Sequence, residues 1–218
     1  MTRLPARGAF IVFEGVDRSG KTTQSRLLLD HLEREGIPAE LWRFPDRTTP
    51  IGQMIDAYLK RDVEADDAAV HLLFAANRWE KRAELLRKLG QGVTIVADRY
   101  AFSGVAFTAA KGVPGLDAAW CRASDAGLPA PDAVFYLDVS PEVAAARGGY
   151  GEERYETKQL QAAVRSEFQR MVGPTWTVID AGAGIDAIQA ELKERASVLV
   201  ERAAAGLPVD TLWKTGEA

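Results

Sequence analysis

Cysteine is nearly absent: Cys121 stands alone among 218 residues, so no disulfide can close within the chain. Two histidines leave no Cys/His set for a zinc site, and a reducing, cytoplasmic setting is the expectation. No apolar run approaches the ~18 residues that a membrane span requires, and the longest are strand-length. The first eight residues, Met1 to Gly8, are too few and too polar for a secretory signal, so a soluble chain without membrane attachment is expected. Neither charge dominates: 27 Lys and Arg against 31 Asp and Glu leave a net charge of −4. That balance argues against a nucleic-acid binder, which needs a basic footprint. If the chain handles phosphates, it does so in a concentrated site.

What is present describes a globular protein. The 47% hydrophobic and 27% charged fractions exclude disorder, and no repeat, low-complexity tract or linker divides residues 1–218, which read as one domain. Apolar runs of strand length alternate with helical patterns, as in a parallel sheet covered on both faces. The runs are Ala9 to Phe13, Val93 to Ala97, Ala133 to Leu137 and Thr177 to Ile179, with Ala39 to Arg43 as a fifth strand. Three of them end at an aspartate, Asp98, Asp138 or Asp180, and ligands of parallel sheets sit beyond such carboxyl ends. Helices are expected where Thr49 and Pro50 precede a stripe of Ile51, Met54, Ile55, Tyr58 and Leu59, and over Asp67 to Leu89. Others run from Ser140-Pro141 to Arg147, from near Glu156 to Gly173-Pro174, and through Ile185, Ile188, Leu192 and Leu199.

The segment Gly15-Val16-Asp17-Arg18-Ser19-Gly20-Lys21-Thr22 satisfies the P-loop pattern, with a strand before it and a helix after. Its glycines let successive backbone N–H groups face phosphate oxygens, which the helix N-terminus also attracts. Lys21 supplies a mobile charge for the β- and γ-phosphates, Ser19 and Thr23 flank it, and Thr22 can complete a Mg²⁺ shell. Asp98, with Arg99 directly after it, is the expected second metal-associated group, across the crevice from the P-loop.

Three further stretches resemble the thymidylate kinase family of the eukaryotic type: Arg43-Phe44-Pro45-Asp46-Arg47, Leu72 to Glu80 with its Phe-Ala-Ala-Asn-Arg-Trp core, and Asp98-Arg99-Tyr100 through Thr108. The likeness runs from Phe10 to about Asp180. It implies a three-layer P-loop α/β fold with a five-stranded parallel sheet and a short mobile lid, and transfer of the γ-phosphoryl of ATP to dTMP. Position by position, it implies that Asp17 faces the sugar, that Phe74 stacks on thymine and that Arg78 reaches the base's carbonyl edge. Their i, i+4 spacing puts ring and guanidinium on one helical face, and Arg78 on that stripe is a residue a core would reject. Arg47 and Arg99 match the grip on the acceptor phosphate, and two cations there also suit the repulsion between two anionic phosphates. Phe44 shapes that pocket; Ser103, Gly104 and Phe107 line base and sugar; Tyr155 and Gln161 are sugar and phosphate neighbours.

The resemblance places a lid at residues 148–156, closing over the nucleotides to exclude water. The first six of these residues carry no Lys or Arg, which leaves Arg18, inside the P-loop, as the cation for the migrating group. Arg147, Gly182 and Ala183 resemble the adenine seat. Family members are commonly homodimers, so a homodimer using ATP, dTMP and Mg²⁺ is expected. Among rivals, a regulatory GTPase lacks its Asn-Lys-x-Asp guanine reader here. A deoxynucleoside kinase, another nucleoside monophosphate kinase and a non-catalytic nucleotide-binding module stay open.

Overall fold

The computed structural model describes residues 7–147 and 153–213. Five parallel strands, β1 (Phe10–Glu14), β2 (Ala39–Arg43), β3 (Thr94–Asp98), β4 (Ala133–Asp138) and β5 (Trp176–Asp180), form one sheet in the order β2-β3-β1-β4-β5. All five expected strands are present, each within a residue of its expected limits at either end. Strand β1 occupies the centre, and each of its residues is fully buried. Its unbroken apolar run, Phe10 to Phe13, is what a strand covered on both faces requires. Each such side chain contributes about 1.5–3 kcal/mol by leaving water.

The chain alternates between strands and helices: α1 (Lys21–Arg34), α2 (Pro50–Leu59), α3 (Asp67–Gly90), α4 (Ala101–Ala109), α5 (Ala118–Ala123), α6 (Pro141–Ala145), α7 (Lys158–Met171) and α8 (Ile185–Ala204). Helix α1 packs with α8, and α3, α4 and α7 pack in succession, so helices flank the sheet. Thr49 caps α2 by accepting from Gly52 N–H at 3.0 Å, with Pro50 in the first turn. Ser140 caps α6 the same way, through Val143 N–H.

Three details depart from the sequence reading. Met54 is 56% exposed although Ile55, Tyr58 and Leu59 beside it are buried, because the ten-residue α2 offers α3 a narrower face than its apolar stripe. Helix α6 stops at Ala145, before Arg147. Helices α4 and α5 carry no readable period: α4 is buried almost all round, from Ala101 to Ala106 and at Thr108, and α5 spans only six residues.

Candidate active site

A cleft of about 490 Å³ opens beyond the carboxyl ends of β1, β2 and β3. Parallel pairing puts Phe13 of β1 level with Asp98 of β3, and Arg43 of β2 level with Asp98, so P-loop, aspartate and the Arg43–Arg47 stretch arrive at one end of the sheet. Asp98 lines the cleft. The other strand-end aspartates serve structure: Asp138 accepts two bonds from Arg165, and Asp180 accepts from Gly182 N–H at 2.8 Å.

The P-loop needs its glycines. Gly15 has φ +149°, and a Cβ there would stand 2.7 Å from the Leu137 carbonyl. Gly20 has φ +101° and enters α1 with no side-chain cap, so the first turn of that helix keeps its N–H groups clear of a capping side chain from Gly20 itself. Lys21, 5% exposed, donates to the carbonyls of Val16 at 2.7 Å and Gly15 at 3.1 Å and to Ser19 Oγ at 3.3 Å. Burial, and then the nearby Arg99, push the Lys21 ammonium down to about 7, against the pull of Asp98, Asp17 and Glu14. Thr22 Oγ1 donates to Asp98 Oδ2 at 2.6 Å. Thr23 also lines the cleft, whereas Gly15 and Ser19 stand behind its wall.

Opposite lie the groups expected to receive the acceptor. Phe44, Arg47, Phe74, Arg78, Ser103, Gly104, Phe107 and Tyr155 all line the same cleft. Arg99, Arg47 and Arg18 each rest on an acid of this chain. Arg99 Nη2 donates to Asp17 Oδ1, while its Nη1 reaches the Gly15 carbonyl and Ser103 Oγ, each at 3.0 Å, and its guanidinium lies 5.1 Å over the Phe107 ring. Arg47 donates to Asp56 at 2.7 Å and to Glu153 at 2.8 Å. Arg18 Nε donates to Glu156 Oε1 at 3.2 Å.

Arg78 is 3% exposed, so a core does accept it, because Asp125 takes two of its N–H groups at 2.8 and 2.5 Å. Gln161 does not line the cleft: it stands behind Asp17, accepting from Asp17 N–H at 2.8 Å and donating to Asp17 Oδ2 at 2.6 Å. Both Asp17 oxygens therefore already accept bonds. Gly182 and Ala183 also lie outside the cleft lining, yet Arg147, which lines it, donates to the neighbouring Ala181 carbonyl at 2.6 Å and to the Arg18 carbonyl at 2.9 Å. Of the lid candidate, residues 148–152 lie outside the described residues; Glu153, Tyr155 and Glu156 line the cleft.

Sequence reasoning gave no role to Glu14, Asp56 or Asp125, and took Glu153 only as part of the lid. Glu14 is fully buried at the end of β1 and accepts from Ser103 Oγ at 2.6 Å and from the N–H groups of Tyr100 and Ser103. Burial raises its pKa, against the lowering effect of Arg99 and of these bonds. Its signal was visible as an acid closing an apolar strand. Asp125 had none, since it lies 47 residues from the arginine it holds.

For a metal, the donor set is the Thr22 hydroxyl and the Asp98 carboxylate, 2.6 Å apart at the cleft wall. Two hard oxygens beside a phosphate loop suit Mg²⁺, which is ordinarily shared between one or two protein groups and substrate phosphates. Among the described residues no group of three or more His, Cys, Asp or Glu is placed to hold a metal alone.

A family model for thymidylate kinase matches residues 13–192. The chain is 49% identical over 209 residues to a thymidylate kinase of Arabidopsis thaliana, covering 96% of this chain and 78% of that one. It is 46% identical over 211 residues to the thymidylate kinase of Homo sapiens, covering 95% and 98%. A solved thymidylate kinase structure from Candida albicans superposes with a TM-score of 0.84 at 35% identity, over 95% of this chain and 99% of that chain. On these matches, spread over nearly the whole chain, it belongs to the thymidylate kinase family.

Proposed function

We propose that the cleft binds ATP and dTMP together and transfers the γ-phosphoryl of ATP to the 5′-phosphate of dTMP, releasing dTDP and ADP. One observation carries this reading: the P-loop lysine and the Thr22–Asp98 pair share a single cleft with Phe74, Arg78 and two further arginines, Arg47 and Arg99. An acceptor phosphate oxygen attacks the γ-phosphorus, and the bond to the β–γ bridging oxygen breaks, its electrons leaving with ADP. The chain's own residues supply position and charge, which is most of what phosphoryl transfer asks of a protein.

In this reading the P-loop amides, Lys21, Thr22 and Thr23 hold the triphosphate, with Gly15, Ser19 and Gly20 shaping the loop. Arg147 and the turn at Gly182 and Ala183 flank the adenine. Thr22 and Asp98 hold Mg²⁺, which when bound screens the charge between the phosphates. Phe74 covers the thymine ring and Arg78 donates to its edge, within walls formed by Phe44, Ser103, Gly104, Phe107 and Tyr155. Asp17 faces the sugar with Gln161 bracing it, Arg47 and Arg99 take the acceptor phosphate, and Arg18 reaches the migrating group. The chain is read as one kinase domain with its lid at about 148–156, acting in the cytoplasm as a homodimer. Leu72, 51% exposed, and Trp79, 39% exposed, on α3 are apolar surface compatible with that pairing. No helix among the described residues is long and apolar enough to cross a membrane.

Coupled detection of ADP release with dTMP, thymidine or no acceptor tests the reading. Release that requires dTMP is the expected result. A deoxynucleoside kinase would turn over thymidine instead, and acceptor-independent release would leave a plain nucleotide hydrolase. A second measurement concerns Lys21. With its pKa near 7 in the free protein, Lys21 is mostly neutral at pH 8, and the phosphates of ATP favour its ammonium form. Calorimetric titration of ATP at pH 8, in buffers of different ionisation enthalpy, should therefore show net proton uptake that disappears near pH 6. Uptake independent of pH would remove Lys21 as its source. In the unliganded protein the same depression makes stability rise with pH between about 7 and 10.5, since the unfolded chain binds more protons in that window.

A further inference from the structure

Asp125 lies in the turn after α5, does not line the cleft, and is wholly buried. It nevertheless holds the side-on edge of the Arg78 guanidinium, accepting from Nε at 2.8 Å and from Nη2 at 2.5 Å, with Arg78 and Asp125 side chains 2% and 0% exposed. The segment that carries it is anchored to α3 on either side of Arg78. Trp79 Nε1 donates to the Ser124 carbonyl at 2.8 Å, and His71 Nε2 lies 3.0 Å from both the Cys121 carbonyl and Ser124 Oγ. From the other side α4 closes on the fork at Gly104, where a Cβ would stand 2.8 Å from Arg78 Nη2.

Two consequences follow from this clamp. A side-on carboxylate uses Nε and one N–H of Nη2, so Asp125 leaves the N–H groups of Nη1 and the second of Nη2 as a planar, donor-only edge. The carboxylate also cancels the guanidinium's charge. A cancelled cation with outward donors suits a neutral carbonyl acceptor better than a phosphate, and it disfavours an amino group at the same place, which would set donor against donor. We propose that Asp125 is a positioning residue that turns Arg78 from a phosphate-seeking cation into a reader of the neutral pyrimidine edge. This rests on the reading of Arg78 as the base-facing group.

The test is a double-variant cycle in the full chain: Asp125→Asn, Arg78→Met and both together, with steady-state kinetics for dTMP, dCMP and ATP and thermal melting on each. Asp125→Asn should raise the dTMP KM by about tenfold or more, the scale of losing an oriented buried bond, and lower the dTMP-over-dCMP ratio of kcat/KM, with the ATP KM within about twofold. In the Arg78→Met background the same substitution should change neither quantity, because nothing remains to be positioned. Additive effects in the double variant, or equal rises in both KM values, would overturn the proposal. If Asp125→Asn does not fold, Asp125→Glu keeps the charge while displacing the fork by one methylene; a folded Asp125→Glu with unaltered dTMP KM and base preference overturns it as well. A wild-type chain that turns over no dTMP sinks the functional reading and this one with it, whereas an active wild type with an additive cycle sinks this one alone.

Discussion

Lys21→Met should abolish turnover while leaving the fold intact. Methionine keeps the unbranched stem and much of the volume of lysine, and removes only the ammonium that donates to Gly15, Val16 and Ser19. Because burial opposes the charged form of Lys21, the unliganded protein loses little by the exchange, and its melting temperature should hold or rise. The nucleotide-bound state loses the mobile charge proposed to follow the β- and γ-phosphates, together with the proton uptake expected at pH 8. Rate measurement and melting curves on one preparation check both halves. Activity within tenfold of the parent would show that the P-loop lysine is not the essential charge.

Arg18→Ala should lower kcat by ~10²-fold or more, the usual scale for losing a cation aimed at the transition state. The substitution is clean in one respect: Arg18 already holds φ +62°, so exchanging one L-residue for another leaves the backbone strain as it was. It does remove the bond from Arg18 Nε to Glu156, which ties the P-loop to the segment following residue 152. A loss of kcat with both KM values nearly constant is the signature of an interaction made chiefly in the transition state. Near-normal kcat would place the catalytic cation elsewhere.

Much of this site was legible because its chemistry follows the chain. The P-loop is eight consecutive residues whose glycines, lysine and threonine each have a local reason, and Asp98 is the last residue of a strand whose partner is β1. Phe74 and Arg78 share a helical face by spacing alone. Interactions between distant segments were not legible. Asp125 meets Arg78 only through packing of the 121–125 segment on α3, and Glu153 meets Arg47 across 106 residues. Gln161 was named as a substrate neighbour yet stands one layer back, behind Asp17, because a helical pattern gives a residue's face but not its depth. Helix α4 escaped notice for a related reason: a helix enclosed on every side has no polar stripe to betray its period.

The acids that sit against Arg18, Arg47 and Arg99 give the resting crevice a muted field rather than the strong positive well its arginine content suggests. Entry of a phosphorylated substrate then becomes a substitution in which a nucleotide oxygen displaces a carboxylate that has held its place. A bare sulfate or polyphosphate must carry out the same displacement with no base or sugar to help, which sets it at a disadvantage against a nucleotide.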